Sequence, residues 1–148
     1  MQNEMIMGET FEKPAIRTLV DQLVNASLSS AARHRSFVVN EVPDGLQLYG
    51  TDENMIAAVI NGMLQAVIGN TRESCVRISA KETLGGKSIE IQVKDTGCFS
   101  SFALACDLQT VFPMAQKVGG YLSISAEKQM NSTVIFSFPL DHSAVESH

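Results

Sequence analysis

Hydrophobic side chains recur at helical spacing in two long stretches of the chain. In the first, apolar residues three or four positions apart run from residue 14 to about 32: Ile16, Leu19, Val20, Leu23, Val24 and Leu28. Pro14 suits the first turn of a helix, where its missing N–H is not needed. In the second, Thr51 or Asp52 can cap a helix whose apolar stripe comprises Met55, Ile56, Val59, Ile60, Met63, Leu64 and Val67. Each helix is expected to pack one face against the rest of the protein.

Strands are predicted in three pairs, because polar and apolar residues alternate there or β-branched and aromatic residues cluster. They are expected at residues 37–42 and 46–50, at 76–81 and 89–93, and at 121–126 and 133–138. Between the last two pairs, apolar residues at Phe102, Ala105, Leu108, Phe112 and Ala115 indicate helical turns. Pro113 should kink this helix or begin a second one, and Gly119-Gly120 should end it.

This order of elements predicts the fold class. A helix followed by two strands, three times over, suits an α+β protein: a two-layer sandwich with helices on one face of a mixed, mostly antiparallel sheet. The sheet should have about five strands or more, and its other face should be the more polar. With 148 residues the chain fits one domain. We expect a flexible lead-in at residues 1–12, the domain at 13–140 and a flexible tail at 141–148.

Composition excludes several other classes of protein. Hydrophobic residues at 45% and charged residues at 18% are typical of folded domains. The net charge of -5 and the scattered 11 basic residues argue against nucleic-acid binding. Membrane insertion is not expected, because apolar runs are short and the N-terminus does not resemble a signal peptide, so we expect a cytoplasmic protein. The three cysteines form no C-x-x-C pair and the three histidines are far apart, which argues against disulfides and metal sites.

The stretch from about Leu46 to Leu140, roughly two thirds of the chain, resembles the catalytic ATP-binding domain of histidine kinases, a branch of the GHKL ATPase superfamily, through three segments. They are LQLYGTDENMIAAVINGMLQAVIGNT, IEIQVKDTGCF and MAQKVGGYLSISAEKQMNSTVIFSFPL. Asn61 and Gln65 fall on the two asparagines of the family's N-L-L-x-N-A box, and Asp95 and Gly97 match its D-x-G-x-G box. The resemblance implies the two-layer Bergerat fold, and it makes these four residues candidates for nucleotide binding, with ATP and magnesium as cofactors if the site works.

Departures from the family pattern imply a degenerate site. Gln65 stands where the family keeps a magnesium-holding asparagine, and magnesium demands near-ideal geometry. Phe99 replaces the second glycine of the aspartate box. Residues 103–107 occupy the place of the glycine-rich box G-x-G-L-G without any glycine to hold phosphates. His34 lacks the surroundings of a phosphoacceptor histidine. We therefore expect no ATP lid, no catalytic residue and no metal ligand.

Each candidate residue also has a purely structural explanation. Asp95 would bind the adenine amino group or, equally, hydrogen-bond the turn that follows its strand. Asn61 and Gln65, one helical turn apart, would face one cleft or simply solvate an apolar helix. Substituting Asp95 with asparagine is expected to alter stability no more than a surface substitution. Glu53 is expected to act at the helix N-terminus rather than as a base.

Three functions remain open. The favoured one is a non-catalytic relative of the kinase domain that binds a signalling protein, such as a response regulator, a phosphotransfer protein or a sigma-factor-type regulator. The second is a working ATP-binding domain, either part of a two-component histidine kinase or a stand-alone serine kinase and anti-sigma factor. The third is a homodimer module that uses an exposed stripe of the helix at residues 14–32.

Overall fold

The computed structural model describes residues 15–97, 100–125 and 132–141. Its helices are α1 (Ile16–Ala26), α2 (Leu28–Arg33), α3 (Glu53–Gly69), α4 (Ser101–Asp107) and α5 (Val111–Lys117). Its strands are β1 (Phe37–Asn40), β2 (Cys75–Thr83), β3 (Ser88–Asp95), β4 (Tyr121–Ser125) and β5 (Ser132–Pro139). A short 3-10 turn, Leu84–Gly86, joins β2 to β3. The predicted lead-in at 1–12 lies outside the described residues, as does the predicted tail at 141–148 except for Asp141, whose backbone N–H donates to the Tyr49 carbonyl at 2.9 Å.

The five strands form one sheet in the order β1-β2-β3-β5-β4. Strand β1 is parallel to β2, and the other neighbouring pairs are antiparallel. One sheet face is apolar and buried under the helices: Val76, Ile78 and Ala80; Ile89, Ile91 and Val93; Val134, Phe136 and Phe138. The residues between them point to the other face and are more exposed and more polar. The structure confirms the predicted α+β two-layer fold and its mixed, mostly antiparallel sheet.

Helix α3 is the longest element, with 17 residues, and it lies at the centre of the helix layer. Asp52 caps it, because one side-chain oxygen accepts hydrogen bonds from the backbone N–H groups of Asn54 at 3.0 Å and Met55 at 3.3 Å. Its buried face carries Ile56, Val59, Ile60, Met63, Leu64 and Val67. Within the described ranges, no helix has both the length and the apolar composition to cross a membrane.

Two sequence predictions were only partly right. The helix predicted for residues 14–32 is broken at Ser27, whose side chain is buried and donates a hydrogen bond to the Val24 carbonyl at 2.8 Å. A serine that bonds its own backbone in this way competes with the regular helical ladder. The strand predicted at 46–50 is absent from the sheet. That segment forms a single bridge, between Gln47 and Ala15, and buries Leu48 against the core.

The prolines and glycines near the C-terminal helices act as predicted. Pro113 is the third residue of α5, in the first turn, where a missing N–H costs no helical hydrogen bond. It therefore belongs to the start of a second helix. Gly119 has a φ of 77°, and the N–H groups of Gly119 and Gly120 bond back to the Gln116 and Ala115 carbonyls, each at 3.0 Å. This pattern ends a helix with a left-handed residue.

Candidate functional site

Asp95 is a buried carboxylate, with 3% of its surface exposed. It lies at the end of β3, on the face that the helices cover. Its carboxylate accepts three hydrogen bonds from the chain itself: from Thr71 Oγ1 at 2.7 Å, from the Gly97 backbone N–H at 3.1 Å, and from Ser132 Oγ. Buried carboxylates need such donors, because an unpaired charge in the interior is costly. Asp95 thus connects the end of β3 to the loop after α3 and to β5.

Gly97 lies against the loop that follows α3, which comprises residues 70–74. A Cβ atom at this position would contact the Arg72 carbonyl oxygen and would come within 2.7 Å of Thr71 Oγ1 and 2.8 Å of Ser74 Cβ. The Gly97 carbonyl accepts a hydrogen bond from the Arg72 N–H at 3.2 Å. A glycine is therefore required here for the close approach of two segments of this chain.

The loop at 70–74 is held by further hydrogen bonds to two parts of the protein, the turn after β3 and the segment before β1. Ser74 Oγ accepts from the Thr96 N–H at 3.2 Å, and the Ser74 N–H donates to Ser36 Oγ at 3.1 Å. Thr71 and Ser74 are both buried. The loop at 70–74 thus holds the turn after β3 in place. The position of Asp95 therefore depends on this loop as well as on strand β3.

Asn61 and Gln65 lie one turn apart on α3, on the side away from its most buried face. Asn61 is half-buried and Gln65 is exposed, and in the described part of the chain neither side chain takes part in a hydrogen bond. Beside them, Gly62 gives room to α5, since a Cβ there would lie 2.6 Å from Val111 Cγ2. The structure therefore places the two residues on one helix face, while Asp95 and Gly97 are bound to the loop after that helix.

The segment that replaces the glycine-rich box is helical and packed onto the domain. Ser100 caps α4, with its Oγ accepting from the Ala103 N–H at 3.1 Å. Leu104 is fully buried. At the other end of α4, Asp107 Oδ2 accepts a hydrogen bond from the Asn70 side-chain amide at 2.7 Å, and the same amide also donates to the Ala66 carbonyl. The helix is thus attached to the C-terminal end of α3.

Sequence reasoning missed Thr71, Ser74 and Ser132 as partners of the aspartate turn. Ser132 is 37 positions from Asp95, and Thr71 is 24 positions from it. The available signal was weak: two hydroxyl residues immediately after the α3 pattern, and one at the start of the last strand. Small hydroxyl residues are common in loops, so their presence in the sequence did not indicate that they would bond the Asp95 carboxylate.

Other expectations concern groups outside this cluster. Among the residues described, no three His, Cys, Asp or Glu side chains converge as a metal-binding group. Cys75 and Cys106 are free thiols, with Cys75 half-buried and Cys106 exposed. Cys98 and Phe99, the latter at the second glycine position of the aspartate box, lie outside the described residues.

Comparison with known proteins defines the fold. No protein-family model matches the sequence, and no curated protein matches it. Among solved structures, the chain is similar to full-length ShkA in complex with AMPPNP, with a TM-score of 0.70 and 18% identity over 87% of this chain and 31% of that one. It is similar to the Acinetobacter baumannii histidine kinase AdeS, with a TM-score of 0.71 and 13% identity over 88% of this chain and 67% of that one.

The catalytic domain of the histidine kinase ThkA matches over nearly its whole length. The TM-score is 0.66 with 14% identity, covering 87% of this chain and 96% of that domain. The chain thus spans a minor part of ShkA and almost all of an isolated catalytic domain. Its fold is the fold of these histidine kinase catalytic domains, as the resemblance implied.

Proposed function

We propose that this chain is a degenerate histidine kinase-like domain that acts in signal transduction by binding another signalling protein, and that it binds nucleotide weakly or not at all. The observation that carries the proposal is the environment of Asp95. Three donors of the chain itself already occupy its carboxylate. A carboxylate accepts about four hydrogen bonds. An adenine amino group would have to share what remains or displace one of these donors.

Gly97 supports the same interpretation. In the family pattern this glycine allows the backbone to approach the nucleotide. In this chain the space beside it is filled by Arg72, Thr71 and Ser74. Both motif residues therefore have an intramolecular role that explains their identity without a ligand.

The residues present do not fit a magnesium–triphosphate group. Gln65, at the position of the family's magnesium ligand, is exposed and carries one more methylene than asparagine. Magnesium tolerates little displacement of its ligands. Where backbone N–H groups of a glycine-rich loop would hold phosphates, α4 is a short helix whose Leu104 is buried and whose Asp107 brings negative charge. We assign no reaction step to ATP in this chain.

If the domain does not use ATP, its signalling role depends on binding another protein. We propose that it does so in the cytoplasm. The partner would be a response regulator, a phosphotransfer protein or a sigma-factor-type regulator. The surface offers apolar side chains for such contacts, since Phe102 on α4 is 80% exposed and Leu28 on α2 is 51% exposed. Phe102 flanks residues 103–107, the segment that differs most from the kinase pattern. A partner that binds there would contact α4, the helix that stands where the family has its ATP lid.

The dimer hypothesis needs a different surface from the one first expected. The stripe of α1 is used inside the domain, because Ile16 and Val20 are fully buried and Leu19 and Val24 nearly so. Of the predicted stripe, Leu28 alone is mostly exposed, and one leucine is a small contact area for a stable dimer. Within the described residues, this stripe therefore offers little exposed apolar area for a homodimer.

The alternative is a working ATP-binding kinase domain. The similarity to the ShkA structure, which contains AMPPNP, favours it, as do Asp95 and Gly97 at the motif positions. The two proposals predict different results when the purified chain is incubated with radiolabelled ATP and magnesium. The degenerate domain should incorporate no label, alone or with a histidine-containing phosphotransfer domain. Label that accumulates on either protein would establish the kinase alternative.

A further inference from the structure

A row of polar residues crosses the open face of the sheet, opposite the helices. Arg77 on β2 lies directly across from Lys94 on β3, and Lys94 lies across from Thr133 on β5. Thr133 in turn lies across from Ser125 on β4. Residues paired in this way across antiparallel strands point to the same face and are close enough to interact. Two positive charges and two hydroxyl groups therefore stand side by side.

The two cations of this row are unequally neutralised. Like charges directly opposite each other destabilise an antiparallel pair. Arg77 forms an ion pair with Glu41 at 3.7 Å. Lys94 is exposed and has no ion pair in the part of the chain that the structure describes. Among the described residues, the positive charge at Lys94 is thus left without a counter-charge.

A concavity of about 420 Å³ lies beside Lys94. Its lining comprises Gln92, Lys94, Asp95, Thr96, Ser125, Ser132 and Thr133, with Ile135 contributing apolar surface. The hydroxyl groups of Thr96, Ser125 and Thr133 take part in no hydrogen bond within the described ranges. One ammonium group and three hydroxyl groups are therefore available as donors to a ligand in this concavity.

Among the described residues, Asp95 lines this concavity and Glu90 lies near it, and both carboxylates are already engaged. Glu90, two residues before Gln92 on the same face, accepts from the Gln92 amide and pairs with Lys81 at 3.9 Å. Asp95 lies on the helix side of β3 and accepts three hydrogen bonds from the chain. Neither carboxylate neutralises Lys94.

We propose that this concavity binds a phosphate monoester, with Lys94 as the charge partner and Ser125, Thr133 and Thr96 as hydroxyl donors. Lysine binds phosphate as a point charge, and hydroxyl groups supply oriented hydrogen bonds. The volume exceeds that of a bare phosphate ion and leaves room for the first atoms of the esterified group. Asn61 and Gln65 lie in the helix layer, on the other side of the sheet, and of the four candidate nucleotide-binding residues the concavity shares only Asp95.

A titration with inorganic phosphate, followed by backbone amide NMR at constant ionic strength, tests the proposal. Saturable shifts are expected at Lys94, Thr96, Ser125 and Thr133. Lys94→Gln should weaken the apparent affinity at least about tenfold, the loss expected for one charge-assisted contact. Thr133→Val, which keeps the shape and removes the hydroxyl, should weaken it less.

The matched control is Lys87→Gln, which makes the same charge change on an exposed lysine seven residues earlier, roughly 23 Å along the strand. It should leave the affinity unchanged. If both substitutions weakened phosphate affinity equally, the binding would depend only on net charge, and the proposed site would be wrong. Shifts without saturation, or shifts confined to α3 and the helix layer, would overturn it too.

Two esters then distinguish the possible sources of the phosphate. O-phosphoserine with blocked termini represents a phosphorylated protein, and ribose 5-phosphate represents a metabolite. Binding of either at these residues, more tightly than inorganic phosphate and with the same loss in Lys94→Gln, supports the shared chemistry. Binding of neither ester would overturn the assignment to a monoester.

Discussion

Thr71 Oγ1 donates a hydrogen bond to Asp95 Oδ2 at 2.7 Å, and both residues are buried. This contact joins the loop after α3 to the end of β3. It gives the aspartate of the kinase-like motif a role inside the domain. The earlier expectation that Asp95 could be replaced at little cost is therefore revised, since the carboxylate is neither exposed nor unpartnered.

Thr71→Val should destabilise the domain by about 1–3 kcal/mol, because a buried carboxylate loses one of its donors while the side-chain shape is kept. Thr71→Ser retains the hydroxyl and should cost distinctly less. Chemical denaturation of both variants measures the difference. Equal stability of the valine and serine variants would show that the Thr71–Asp95 hydrogen bond contributes nothing to folding.

Gly97→Ala should destabilise the domain by about 1–3 kcal/mol, since the added methyl group would be forced against backbone and side-chain atoms of the 70–74 loop. Gly69→Ala is the matched control. That glycine ends α3 with open space around it, so alanine there should be neutral or should stabilise by up to about 1 kcal/mol. Thermal unfolding of the two variants gives the comparison. A tolerated Gly97→Ala would contradict the close packing of this turn.

Asp107→Ala should loosen α4 without unfolding the domain, because it removes the hydrogen bond to Asn70 while Leu104 stays buried. Amide hydrogen exchange at Leu108, whose N–H bonds to the Leu104 carbonyl at 3.1 Å, should accelerate up to about tenfold. Cys106→Ser, one residue away and exposed, should leave the exchange rate unchanged. Equal exchange in Asp107→Ala and wild type would mean that the hydrogen bond does not hold the helix.

Most of the fold followed from periodicity. The α3 stripe and the β2–β3 hairpin match long, regular patterns that leave little choice of register. Predictions were wrong where a local interaction overrode the pattern. Ser27 interrupts an otherwise continuous helical stripe by bonding to Val24, and the alternation at 46–50 reflects an extended segment that buries Leu48 without joining the sheet.

The surroundings of the candidate residues could not be predicted from the sequence. The motif resemblance selected Asp95 and Gly97 as candidates for nucleotide binding, which stays a prediction. It gave no indication that Thr71 and Ser132 would bond the carboxylate, because those contacts join segments that meet only after the sheet and helix layer have assembled. The open-face row from Arg77 to Ser125 likewise depends on strand register, which a single strand pattern does not fix.

The central proposal is that intramolecular contacts occupy the residues of the nucleotide site, so that ATP binds weakly or not at all. Thermal unfolding with ATP, in the presence and absence of magnesium, tests it most directly. A site that binds ATP should stabilise the domain by about 2.7 kcal/mol at a nucleotide concentration one hundred times the dissociation constant. We expect no measurable stabilisation at micromolar ATP, and no effect of magnesium. A magnesium-dependent shift that saturates at micromolar ATP, and that Asp95→Asn abolishes in a variant shown to be folded, would contradict the proposal.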